Sequence, residues 1–110
     1  HEKDVNILFC CLSSLGNYYD EQCKDIFISF MNHPDQAIRR VCIEAVGKTR
    51  NENTLLELIP FYLKEKDFGN RTAIVEALCG IDKKETLNLA LGSISQFETN
   101  SFLKISLKSE

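Results

Sequence analysis

The chain carries five cysteines, and their spacing decides what chemistry they can do. Cys10 and Cys11 are adjacent, Cys23 follows, and Cys42 and Cys79 stand further along. Thiols in this number raise metal binding, disulfide pairing and redox exchange. The spacing matches none of the three, and an odd count cannot pair completely. His1 and His33 share no helix face with a Cys, Asp or Glu at ligand spacing. Both read as surface or tag-derived residues, His1 at the chain end and His33 between repeats beside Pro34. Asp20-Glu21 and Glu52/Glu57 are carboxylate pairs in sequence only, and they read as solvated or first-turn charges. No serine sits in a Gly-x-Ser-x-Gly elbow, and no glycine-rich loop can cradle phosphate. Asn70-Arg71-Thr72 has the form of a glycosylation site but falls at a predicted helix start, so it reads as coincidence. The expectation is a protein without a catalytic centre, metal site or cofactor.

Composition points the same way. The 110 residues are 44% hydrophobic and 26% charged, which suits a folded domain. Sixteen acids outweigh 13 bases, giving a net charge of -3. That balance disfavours nucleic acid as a partner. The longest apolar stretch, around Ile7–Leu15, is too short to span a membrane and holds two serines. The chain opens His1-Glu2-Lys3 with no Met and is expected to be a fragment of something longer.

What would position these residues is a repeat. Asp35, Arg39, Glu44 and Ala45 recur as Asp67, Arg71, Glu76 and Ala77 about 32 residues on. Shifted back by about 31, Asp35, Ile38, Cys42 and Gly47 meet Asp4, Ile7, Cys11 and Gly16. Each block opens with a helical apolar stripe: Ile38, Val41, Cys42, Ala45 and Val46 in the second, and Ala73, Ile74, Ala77 and Leu78 in the third. In the third block Asn70 takes the first apolar position. The first block offers Ile7, Cys10, Cys11 and Leu15. A polar turn follows each stripe, and then a second amphipathic segment. These second stripes are Cys23, Ile26, Phe27, Phe30 and Met31; Leu55, Leu58, Ile59, Tyr62 and Leu63; and Leu87, Ala90, Leu91 and Ile94.

The chain therefore reads as all-α, with helix–turn–helix units at 1–33, 34–66 and 67–98 and a cut-off fourth at 99–110. Phe102 and Ile105 would begin the fourth stripe. Asp35 and Asp67, with Thr99 or Asn100, are expected to cap first helices, and Asn53 or Thr54 a second helix. Pro60 lies inside a predicted helix and should kink it. On this register Cys10, Cys11, Cys23 and Cys42 are core positions, while Cys79 sits at a helix end. Units of this kind bury their apolar faces only by stacking. The register also makes Ala45 a close-packed position.

Asp-x-x-x-Arg, then Glu-Ala-Val-Gly, then a loop and an amphipathic helix resembles HEAT repeats. The period is closest to the short HEAT-like kind of bacterial proteins and phycobilisome-lyase-type repeats. Asp35, Arg39, Ala45, Val46 and Gly47 carry the resemblance in the second unit, and Asp67, Arg71, Ala77 and Leu78 in the third. Leu8 replaces the arginine in the first unit, and Cys79 replaces the glycine in the third. Tetratricopeptide and ankyrin signatures are missing. The resemblance implies a right-handed α-solenoid, with first helices convex and second helices concave. It also implies an inter-repeat charge ladder of Asp35, Arg39, Asp67 and Arg71.

The function so implied is a non-catalytic protein–protein interaction scaffold in the cytoplasm, which reduced thiols suit. The partner is a protein or another domain of the parent chain. The candidate partner-binding residues are Phe61, Glu57, Lys64 and Asn88, with Phe61 as the anchor because it is aromatic and off the core stripe. Lys48/Arg50 and Lys83/Lys84 would line one basic edge. The open C-terminal end, with Leu87, Leu91, Phe102 and Ile105, is expected to favour end-to-end self-association. The alternatives are a regulatory appendage of a larger membrane or signalling protein, and a lyase-like or DNA-glycosylase-like enzyme domain. The enzyme readings fit poorly with no tryptophan and a negative charge.

Overall fold

Helix starts are set by side chains that accept the first free backbone N–H groups. In the computed structural model, which describes residues 2–49 and 51–108 (side chains 4–49 and 51–100), Asp35 caps α3 (Gln36–Val46) through the N–H groups of Ala37 and Ile38. Asp67 caps α6 (Phe68–Leu78) through the N–H of Asn70. Both caps stand where the sequence put them. Before α3 come α1 (Glu2–Gly16), a short 3-10 turn (Glu21–Cys23) capped by Asp20, and α2 (Lys24–Phe30). Asn51, rather than Asn53 or Thr54, caps the second helix of the second unit.

That second helix is two pieces, α4 (Glu52–Leu56) and α5 (Ile59–Lys64). The kink expected at Pro60 appears as a break just upstream of it. Pro60 has no N–H to give to Leu56, and its ring crowds that carbonyl. The chain tightens at this point: the N–H groups of Glu57 and Leu58 reach only to Thr54 and Leu55. Pro60 then falls in the first turn of α5, where the missing donor does no harm.

The boundary expected at residue 98 is absent. The last helix, α7 (Lys84–Lys108), runs through it without a turn. Thr99 does not cap a new helix; its hydroxyl donates to the Ser95 carbonyl inside α7. The stretch 84–108 has no proline and no turn cluster, and Gly92 alone is not enough to end a helix. Phe102 and Ile105 lie outside the residues whose side chains are described.

First helices α1, α3 and α6 lie side by side, and second helices α2, α4–α5 and α7 back them. The extents, 47 × 37 × 17 Å, are those of a slab about two helices thick. The core is continuous through the units: Leu12, Phe27 and Met31 join Ile38, Cys42 and Val46, then Leu55, Leu58, Ile74 and Leu78. There is no strand among the described residues. This is an α-solenoid of stacked helix pairs.

The first-unit stripe is where burial departs from expectation. Ile7 is 63% exposed, and Cys10 and Cys11 are exposed, while their equivalents Ile38, Val41 and Cys42 are buried. The reason is what lies opposite. α3 is packed against both α1 and α2, whereas among the described residues no helix stands against that side of α1. The face of α1 that is covered runs Val5, Leu8, Leu12 and Leu15. Ile26 on α2 is 45% exposed for the same reason, although Leu58 and Ala90, its equivalents, are buried. Cys42 is buried and Cys23 half-buried, so two of the four cysteines read as core are covered. Cys79, at the end of α6, is exposed.

At the other end Leu87 and Leu91 are partly buried, so they do not form the bare apolar end that the sequence suggested. Close approach of the first helices depends on glycine. This holds for α3 and α6, where a Cβ on Gly47 would lie 3.1 Å from the Ala77 Cβ; one on Gly16 would make ordinary contact with the Ala45 Cβ at 3.4 Å.

Candidate functional site

The expected Asp–Arg ladder takes another form. Asp35 and Asp67 spend their carboxylates on helix caps, and the arginines find a different acid. Arg39 forks Glu65, Nε to Oε1 at 2.9 Å and Nη2 to Oε2 at 3.0 Å. Arg71 reaches Glu98 at 3.0 Å. These pairs are repeat equivalents: Arg39 and Arg71 are about 32 apart, Glu65 and Glu98 about 33. Each ties the first helix of a unit to its own second helical segment, Glu65 at the end of α5 and Glu98 within α7. The sequence held this signal in the recurrence of Glu65 and Glu98, but the spacing within a unit is too long for a helix-face pattern to reveal.

Glu65 is the centre of a polar knot. Its side chain is only 4% exposed. It also accepts from the N–H groups of Lys66 and Asp67 and from Asn70 Nδ2. Burial alone would push its carboxyl up, but Arg39 and these N–H donors outweigh that and hold it below the usual value. Asn70, 1% exposed, further donates to the Gln36 carbonyl, so it bridges α3 and α6. A sequon asparagine buried in this way cannot present its amide to a glycan.

Arg39 does a second job. Its Nη1 donates to the carbonyls of His33 and Pro34, each at 2.9 Å. His33 Nδ1 in turn accepts the Asp35 N–H at 3.0 Å. The turn between the first two units is therefore pinned to the turn between the second and third. His33, read from sequence as an idle surface residue, closes this turn.

Between the two pinned turns lies a cleft of about 250 Å³. Met31, Ile43 and Phe61 give its lining an apolar part, with His33, Pro34 and Lys64 beside them. Phe61 is half-buried against the core, with the Lys64 ammonium 5.7 Å from its ring centroid. Two of the four candidate residues therefore meet here. The other two stand elsewhere. Glu57 is 3.2 Å from Lys24 Nζ on α2, and Asn88 is exposed on α7. Lys66, which the sequence did not single out, lines the cleft as well.

The basic edge is not a unit either. Lys48 Nζ donates to the Gly16 carbonyl, Lys83 and Lys84 are exposed, and Arg50 lies outside the described residues. No group of three metal-ligating side chains converges among the described residues.

Arg39 and Arg71 at equivalent places, each behind a capping Asp, and first helices meeting at glycine, are marks of one repeat used several times. The HEAT-repeat pattern matches residues 4–79, more than half of the chain. The chain belongs to the HEAT-repeat family. No curated protein and no solved structure matches it. The match spans α1 to α6, the stretch in which first helices stack on one another, and ends before α7 begins. HEAT repeats as a class mediate protein interaction, and no described helix is long and apolar enough to cross a membrane.

Proposed function

We propose that this HEAT-repeat chain is a non-catalytic interaction scaffold that holds a partner protein at the cleft around Phe61. The observation that carries this reading is the preformed wall: an aromatic ring set between two turns that the Arg39–Glu65 fork keeps in place. Binding to such a surface loses little to ordering, because the ordering is already built in. A half-buried aromatic beside a long cation is the residue type that anchors interfaces. Protein, rather than nucleic acid, is the partner class that a net charge of -3 favours. Free, exposed Cys10, Cys11 and Cys79 suit a reducing compartment and support the cytoplasm as its place.

Site-specific photo-crosslinking tests the reading. A photoreactive residue at Lys64 of the full-length chain is expected to capture a discrete protein, and one at Asn88 is not. The Lys64 adduct should disappear with Phe61→Ala in a chain whose circular dichroism is unchanged. Equal capture at both positions, or none at either, overturns the cleft as the binding surface.

A further inference from the structure

The cleft has a charge opposite to that of the chain as a whole. Arg39, Lys64 and Lys66 line it, and its one acid is Glu65. That acid is fully occupied by the Arg39 fork and three N–H donors, so it offers a visitor no free carboxylate. Asp35 and Asp67 stand close in sequence, but their carboxylates are engaged at the starts of α3 and α6. Lys64 and Lys66 are exposed and form no ion pair among the described residues. The apolar and cationic parts are adjacent, as the 5.7 Å between the Lys64 ammonium and the Phe61 ring shows.

We infer that the cleft takes an extended acidic segment of a partner protein, with an apolar side chain against Phe61 and carboxylates on Lys64 and Lys66. This rests on the protein-binding reading above and specifies the chemistry of the ligand. Size argues for a segment rather than a folded surface: about 250 Å³ falls below the usual range for a small-molecule pocket and suits one inserted side chain. Charge argues for acid. A short acidic run feels the two free lysines at contact range, whereas the net negative charge of the chain is screened beyond roughly 10 Å. A long polyanion would instead meet that charge over its whole length, which is why the segment is assigned to a protein and not to nucleic acid. The ring beside Lys64 asks for an apolar residue next to an acid in the sequence of the segment.

The test is a peptide array probed with the purified chain. One arm places Asp and Glu around a Leu or Phe. A second replaces the acids with Asn and Gln, a third replaces them with Lys, and a fourth keeps the acids but replaces the apolar residue with Gly. The first arm is expected to bind best. Its affinity should fall about tenfold with Lys64→Glu/Lys66→Glu, corresponding to two exposed ion pairs, and should weaken as salt is added. Both lysines are exposed, so this variant is expected to fold, and circular dichroism verifies it. Phe61→Ala should reduce the first arm to the level of the fourth.

Binding to the first and second arms alike, unmoved by the charge reversal, overturns the acidic ligand but leaves protein binding at Phe61 standing. Single-stranded DNA that competes as well as the acidic peptides overturns the assignment to a protein. No binding on any arm overturns the proposal, while the crosslinking experiment judges the broader reading separately.

Discussion

Cys11 and Cys42 are equivalent residues that meet opposite fates. Cys42 is wholly buried, and burial pushes its thiol up to about 12; Cys11 is exposed. Iodoacetamide at neutral pH is therefore expected to alkylate Cys10, Cys11 and Cys79 in the folded chain and to spare Cys42 until denaturant is added. Peptide mass mapping reads this directly, and early alkylation of Cys42 would show that the core is placed wrongly. The stripe in the sequence identifies which side of a helix is apolar, but not whether a neighbour covers it. For that reason Cys42 was legible and Cys10 and Cys11 were not. Glu65 escaped the sequence for a different reason, since its partner Arg39 is 26 positions away. Replacing it with glutamine leaves Arg39 without a countercharge and should cost about 2–3 kcal/mol at neutral pH. The sign of the pH dependence follows from its lowered carboxyl pKa. The folded chain holds Glu65 below its usual 4.5, so its contribution is complete above that value and fades as pH falls through the folded pKa. Urea midpoints of the parent and Glu65→Gln should differ at neutral pH and converge in acid below 4.5. A gap that stays constant into acid would show that the carboxylate does not carry it.

Among the elements, α3 was the most legible, because capping Asp, apolar stripe and closing glycine all agree in it, and α6 keeps the first two of these. The second helices were less so. Leu55, Leu58 and Tyr62 keep the stripe across the α4–α5 break, so the pattern does not show where Pro60 divides the helix. α7 shows the converse case, a run of helix-compatible residues that outlasts the repeat register. Three glycines separate packing from helix propensity. None has an unusual backbone, so alanine is allowed at each on conformational grounds. Gly92, inside α7, has open space where a Cβ would go, so Gly92→Ala should stabilise by about 0.5–1 kcal/mol. Gly16→Ala meets ordinary contact and should be near neutral. Gly47→Ala would press on Ala77 at 3.1 Å, so a destabilisation of about 1 kcal/mol is expected. Thermal melts of the three variants should rank in that order. Gly47→Ala melting with or above Gly16→Ala would mean that α3 and α6 do not approach at glycine. Ala45, 2% exposed and facing Gly16, belongs to the same seam, and Ala45→Leu should cost about 1–3 kcal/mol.

For the molecule as a whole, the units share one core but are not equally held. α3 packs against α1, α2 and α6, whereas α1 packs chiefly against α3 and leaves Ile7, Cys10 and Cys11 open. In a stack of this kind stability is a sum of units and nearest-neighbour interfaces, so a unit covered on one side opens more readily than a unit covered on both. The polar ties sharpen the gradient. The second unit has the Arg39–Glu65 fork with Asn70 bridging to the third, and the third has Arg71–Glu98 with the Arg71 guanidinium 4.9 Å from the Tyr62 ring centroid. The first unit has Leu8 where the others have that arginine, so it lacks the tie altogether. Its polar links onward among the described residues are the Arg39 bond to the His33 carbonyl, the Lys24–Glu57 pair, the Lys48–Gly16 bond and the hydroxyls of Thr49 and Thr54 on Glu21. Hydrogen exchange of the 110-residue chain is therefore expected to be slowest in α3 and to quicken in α1 and α2, with the difference growing at low denaturant as the first unit opens ahead of the rest. Lys24→Ala should widen the gap by loosening α2 without altering α6. Equal protection of α1 and α3 would mean that the chain opens in one step, and that the uncovered face of α1 carries no energetic consequence.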